Sequence, residues 1–95
     1  MLERDIEKKL VAAAKKADGM ALKFVSPGWD GVPDRIILFP GGHMAFVEVK
    51  APGRKLRPIQ EKRKEQIEAM GFKVHVLDGI EEIDKIIDEI GGEAE

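Results

Sequence analysis

Apolar side chains recur every three or four positions at the start of the chain: Leu2, Ile6, Leu10, Ala13 and Ala17, with lysines and acids between them. That spacing predicts an amphipathic helix over residues 2 to 17, ended near Asp18-Gly19. "MALKFV" then alternates apolar and polar positions, the period of a half-buried strand. The proline and glycine density of "SPGWDGVP" marks a loop. "DRIILF" and "MAFVEVK" read as two strands, joined through "PGGH" as a hairpin. In the next loop, "APGRKLRP", Pro58 suits the first turn of a helix that runs to a stop at Gly71. "FKVHVL" is a fourth alternating strand. Beyond it, Asp78 and Glu81 have the spacing of a capping box, opening a helix whose Ile80, Ile83, Ile87 and Ile90 share one stripe. The expected order is αβββαβα, an α/β fold with a mixed central sheet flanked by helices. Residues 91 to 95 are expected to fray.

Size narrows the picture. Ninety-five residues make one domain, near the lower limit of what folds alone around a single core. No cysteine is present, so neither disulfides nor a thiolate metal site can staple it. A chain this small buries a modest share of its surface, which makes a homodimer a natural expectation. No apolar run is long enough to span a membrane, and "MLERDIEKK" is charged from its third residue, so no signal peptide is expected.

Net charge hides its own distribution. The total is -2, yet residues 50 to 64 carry Lys50, Arg54, Lys55, Arg57, Lys62, Arg63 and Lys64 against the single acid Glu61. Seven cations less one acid give +6, which leaves -8 for the rest of the chain, much of it in "DGIEEIDKIIDEIGGEAE". Such a basic band marks either a polyanion site or a solvated helix rich in lysine.

The hairpin raises a sharper question. A turn centred on Gly41-Gly42 makes facing residues sum to about 82 or 83, which sets Asp34 opposite Glu48 or Val49. Glu48 and Lys50 are two apart and share a face with Phe46 and Met44. Side chains directly opposed on such a pair have Cβ atoms about 4.5–5.5 Å apart. Two carboxylates at that distance repel, and one pKa rises unless something neutralises them. Lys50 supplies one positive charge; a divalent cation such as Mg²⁺ supplies two. The plain alternative is a cross-strand ion pair on a solvated sheet face, with Asp34 capping the turn after Pro33. The Glu-x-Lys string alone decides nothing, because Glu7-Lys8-Lys9 on the first helix repeats it.

Pro33-Asp34, a hairpin, then Glu48-Val49-Lys50 resembles the PD-(D/E)xK nuclease motif. More narrowly, "ERDI", "GVPDRI", "FVEVKAPGRKLRPIQ" and "GFKVHVLD" resemble, in order, the signature blocks of the virus-type replication-repair nuclease family, VRR-NUC. The resemblance covers residues 3 to about 78 and includes Pro58-Ile59-Gln60. It implies a restriction-endonuclease-like core and metal-dependent hydrolysis of DNA phosphodiesters. On that resemblance Asp34, Glu48 and the Val49 carbonyl ligate Mg²⁺ or Mn²⁺, and Lys50 stabilises developing charge. Gln60 would hydrogen-bond Lys50 or a water, and Glu3 corresponds to the acid of the family's first helix, in preference to Glu7. Arg54, Lys55, Arg57, Lys62, Arg63 and Lys64 would contact DNA phosphates, which position DNA without reading its bases.

The implied activity is a structure-selective endonuclease of the Holliday-junction-resolvase kind, acting as a two-fold dimer on branched DNA. A nicking or flap nuclease, and a silent DNA-binding module of the same fold, are the alternatives. The family's distribution implies a phage or bacterial source, and so the cytoplasm of a bacterium or of a phage-infected host. No Walker loop or dinucleotide glycine pattern occurs, so no nucleotide cofactor is expected. Ser26 is the sole serine and lies in no strand-to-helix elbow. His43 is expected exposed at the hairpin tip, and His75 on a strand face. Trp29 is open to three uses: stacking on a base, a dimer contact, or a core plug.

Overall fold

The computed structural model describes residues 1–91. Helix α1 spans Glu3–Lys16. It begins after Leu2, whose N–H donates to Asp5 Oδ2 at 3.3 Å, and ends where Asp18 adopts a positive φ of 67°. Its buried residues are Ile6, Leu10 and Ala14. The expected stripe is therefore displaced at both ends, with Leu2 and Ala17 exposed, because the helix starts one residue later and stops one earlier.

Strand β1 covers Met20–Lys23, β2 Arg35–Phe39 and β3 His43–Val49. Helix α2 follows over Pro58–Ala69, then β4 over Val74–Leu77. A 3₁₀ turn, Ile80–Glu82, leads into α3, Ile83–Ile90. The sheet order is β1-β2-β3-β4. The first two pairings are antiparallel and β3 pairs with β4 in parallel, so α2 serves as the crossover that a parallel connection requires. This is the mixed sheet expected. The hairpin register runs from Arg35↔Val47 to Phe39↔His43. Its three-residue turn places Gly41 and Gly42 at φ of 92° and 82°, where a side chain would be strained.

Alternation along the strands gives the sheet two unlike faces. One presents Ile37, Phe39, Ala45, Val47, Val49 and Leu77 to α1 and α3 and forms the core with Ile6, Leu10, Ala14, Ile83, Ile86, Ile87 and Ile90. Burying each large member contributes about 1.5–3 kcal/mol. The other face carries Met20, Leu22, Ile36, Leu38, Met44, Phe46 and Glu48, by the same registers. There α2 packs against β4, and Phe46 meets Phe24 and Phe72 at ring separations of 5.5 and 6.3 Å. Toward β1 that face stays open, with Met20 at 53% and Leu22 at 44% exposure.

The last helix departs from expectation. Gly79, not Asp78, is the cap residue, and no side chain caps the turn. Starting one residue later puts Asp78 outside the turn whose amides it would have accepted from. Ile80 is then 40% exposed, and Ile86 takes its place in the core. Gly91 ends α3, its N–H donating to Ile87 O at 2.9 Å; residues 92–95 of the tail expected to fray lie outside the described residues. No described helix is long and apolar enough to cross a membrane.

Candidate active site

The acids meet where β2 and β3 run out. Asp34 lies one step beyond the Arg35↔Val47 pair, so the register carries it across from Glu48. Its carbonyl accepts the Phe24 N–H at 2.9 Å, and its Oδ2 accepts the Val49 N–H at 2.8 Å. The same register puts buried Pro33 opposite Val49. The carboxylate takes the backbone amide there, which fixes Asp34 against β3.

Glu48 is 4% exposed, the single buried charged residue among those described. Its Oε2 accepts a hydrogen bond from Gln60 Nε2 at 2.7 Å and has Lys50 Nζ at 3.9 Å. Oε1 takes no part in either contact. Burial, then the charges of Asp34 and Glu3, push the Glu48 carboxyl up to about 7, against the pull of Lys50 and Arg57. Asp34 is also raised, by burial first and by Glu7, while the Val49 N–H, Lys50 and Lys23 oppose the shift. Near neutral pH this pair is short of positive charge.

Gln60 is aimed by the helix it begins. The Arg57 N–H donates to Gln60 Oε1 at 2.8 Å, which leaves Nε2 to face Glu48. Pro58 at the first helical position and the amide at the third together fix the start of α2. The expected partner was Lys50 or a water; the partner is Glu48, because capping turns the amide's donor end toward the acid. Asp34, Glu48, Lys50 and Gln60 thus come together.

Glu3 is exposed at the first turn of α1, close enough to raise Glu48. Glu7 is held elsewhere: its Oε2 accepts from Arg35 Nε at 2.7 Å. Arg35 also donates through Nη1 to Ala21 O at 3.1 Å, tying α1 to β1. The two residues line a groove of about 340 Å³ with Arg4, Lys8 and Val11. This second basic flank went unnoticed in the sequence, where its cations are scattered over two elements.

The predicted basic band divides. Arg54, Lys55, Arg57 and Lys62 are exposed. Lys64 pairs with Glu68 at 3.0 Å. Arg63 donates to Asp30 O at 2.7 Å and lies 4.2 Å from the Trp29 ring centroid. Trp29 is 37% exposed and does not plug the core. His43 is exposed, as expected at a hairpin tip. His75 lies on β4, where burial lowers its pKa and Glu89 Oε1 stands 3.7 Å away.

No group of three or more His, Cys, Asp or Glu side chains able to hold a metal occurs among the described residues. An ion here would rest on Asp34, Glu48 and a backbone oxygen, with its other positions open to water and phosphate. That donor set suits Mg²⁺, which commonly binds one or two carboxylates together with substrate phosphates.

Acids at the ends of an antiparallel pair, a lysine two residues on and a four-stranded mixed sheet between helices define a restriction-endonuclease-like nuclease domain. The chain matches the VRR-NUC domain family over residues 3–81, and it belongs to that family. It is 50% identical over 76 residues to "Putative nuclease p44" of Acyrthosiphon pisum secondary endosymbiont phage 1, covering 80% of this chain and 82% of that protein. A solved structure described as "VRR_NUC domain" superposes with a TM-score of 0.85 at 29% identity, over 90% of this chain and 94% of the other.

Proposed function

We propose that this nuclease hydrolyses DNA phosphodiesters with Mg²⁺ or Mn²⁺ held by Asp34, Glu48 and the Val49 carbonyl. The observation that carries the reading is a Glu48 carboxyl buried to 4% exposure and raised to about 7 beside Asp34. A core would not keep such a group without a use for it, since an apolar replacement costs less. When bound, the ion supplies a Lewis acid at the scissile phosphate and neutralises the two carboxylates.

The chain's own residues do the rest. Lys50, with Nζ 3.9 Å from Glu48, balances charge that develops on the phosphate oxygens. Gln60 holds Glu48 in one orientation, and Glu3 accepts a hydrogen bond from a water entering beside α1. Arg54, Lys55, Arg57 and Lys62 draw in the DNA backbone on the α2 side.

We assign a branched, four-way-junction substrate cut by a two-fold dimer, since two symmetric cuts need two sites. Met20 and Leu22 on the open half of the sheet supply apolar surface for the partner copy. The phage source of the relative supports action inside a phage-infected cell.

The test is cleavage of labelled four-way junction, flap and plain duplex, with Mg²⁺ or chelator. Wild type should cut the junction in Mg²⁺ alone, and Glu48→Ala should lose on the order of 10³-fold in rate or more. Cutting in chelator would sink the metal reading. Binding without cutting would favour a silent module.

A further inference from the structure

Arg63 sits in the basic band, but its guanidinium is already engaged. Nε donates to Asp30 O at 2.7 Å, Nη1 donates to Gln66 Oε1 at 3.0 Å, and the plane lies 4.2 Å from the Trp29 ring centroid. Ile59, one turn earlier on the same side of α2, meets the same loop. A Cβ added to Gly31, at φ 86°, would come 2.9 Å from both Ile59 O and Ile59 Cγ1. Loop and helix are therefore in direct contact along one stripe of α2, at Ile59 and Arg63.

What this loop leads into is the site. Two residues separate Gly31 from Asp34, and one of them, buried Pro33, limits the freedom of the chain between them. On the helix, Gln60 lies between Ile59 and Arg63 and reaches Glu48. The loop that leads into Asp34 thus docks on the helix that carries Gln60, and Arg63 is engaged in that contact.

We propose that Arg63 is a positioning residue: by clamping Trp29 and Asp30 onto α2 it sets where Asp34 stands in the site, and it does not contact DNA. The effect on catalysis rests on the nuclease reading above; the clamp itself does not. Lysine separates the two roles, because it keeps the charge that a phosphate contact needs and loses the planar fork that stacks and donates in two directions.

The experiment compares wild type, Arg63→Lys and Arg63→Ala. Trp29 is the only tryptophan, so its emission in metal-free protein reports the loop directly. Affinity for junction DNA in chelator, with its salt dependence, reports phosphate contacts. Expected for both variants are shifted Trp29 emission, a fall in kcat of roughly 10- to 100-fold, and a higher Mg²⁺ concentration for half-maximal rate. DNA affinity and salt slope should stay within about two-fold of wild type. Thermal unfolding of the variants shows whether they remain folded.

The proposal is overturned if Arg63→Lys keeps wild-type emission and kcat while Arg63→Ala weakens DNA binding and lowers the salt slope by about one. Unchanged emission in both variants overturns it equally. Should wild type neither cut nor respond to Mg²⁺, the nuclease reading fails instead, and emission with amide exchange across residues 26–33 still decides the clamp.

Discussion

Val47 and Glu48 are neighbours on one strand, almost equally hidden from water, and they belong to different worlds. Val47 faces α1 and α3, where every contact in the cluster is apolar. Glu48 faces α2, where Gln60 donates to it and Lys50 stands by. The sealed face is apolar through its centre and meets polar partners only at its margins, where Arg35 pairs with Glu7 and His75 stands near Glu89. The working face keeps a carboxyl that burial opposes and that only its neighbours make tolerable. Depth of burial therefore does not separate core from site in this sheet; the hydrogen-bond donors around the buried group do.

The contrast is sharpest under substitution. Ile37→Ala, on the sealed face, should lower unfolding free energy by about 3 kcal/mol in urea titration, from lost contacts and the cavity left behind. A loss under 1 kcal/mol would mean that this face is looser than described.

On the working face, Glu48→Gln should act in the opposite direction, and only at higher pH. An acid whose folded pKa is raised binds its proton more tightly folded than unfolded. Its stabilising contribution is complete below the ordinary value of 4.5 and is lost as pH climbs through about 7. Metal-free wild type and the amide variant should thus match near pH 4. Above pH 8 the variant should lead by on the order of 2 kcal/mol. A gap that does not change with pH would show that the carboxyl is not raised.

The smallest effect on the chain itself belongs to the open half of that face. Leu22→Lys should change the unfolding free energy of the isolated chain by less than about 0.5 kcal/mol. On the proposed dimer, wild type should run at twice the chain mass by light scattering and this variant at the mass of one chain. An unchanged dimer would place the partner copy elsewhere.

The sequence carried the features that repeat with a period. Alternation put Glu48 and Lys50 on one face, and the Gly41-Gly42 turn narrowed the partner of Asp34 to Glu48 or Val49, of which the register selects Glu48. The apolar stripe of α1 was readable except at its ends, where helix starts depend on one or two hydrogen bonds. The same weakness misplaced the cap of the last helix by one residue and hid the role of Ile86. Contacts between distant residues left no trace at all. Glu7 and Arg35 are 28 positions apart, and Arg63 and Asp30 are 33 apart. Neither pair follows a spacing rule, so the contact of Arg63 with the Trp29-Asp30 loop was not readable. Gln60 was singled out, but its partner depended on which end of the amide the helix start would claim.

That shared use of one amide limits how this chain can drift. A residue inserted between Arg57 and Gln60 would swing the side chain about 100° around the helix axis, since 3.6 residues make a turn. The helix would lose its opening bond and Glu48 its donor in the same stroke. Insertions among residues 51 to 56 carry no such double penalty.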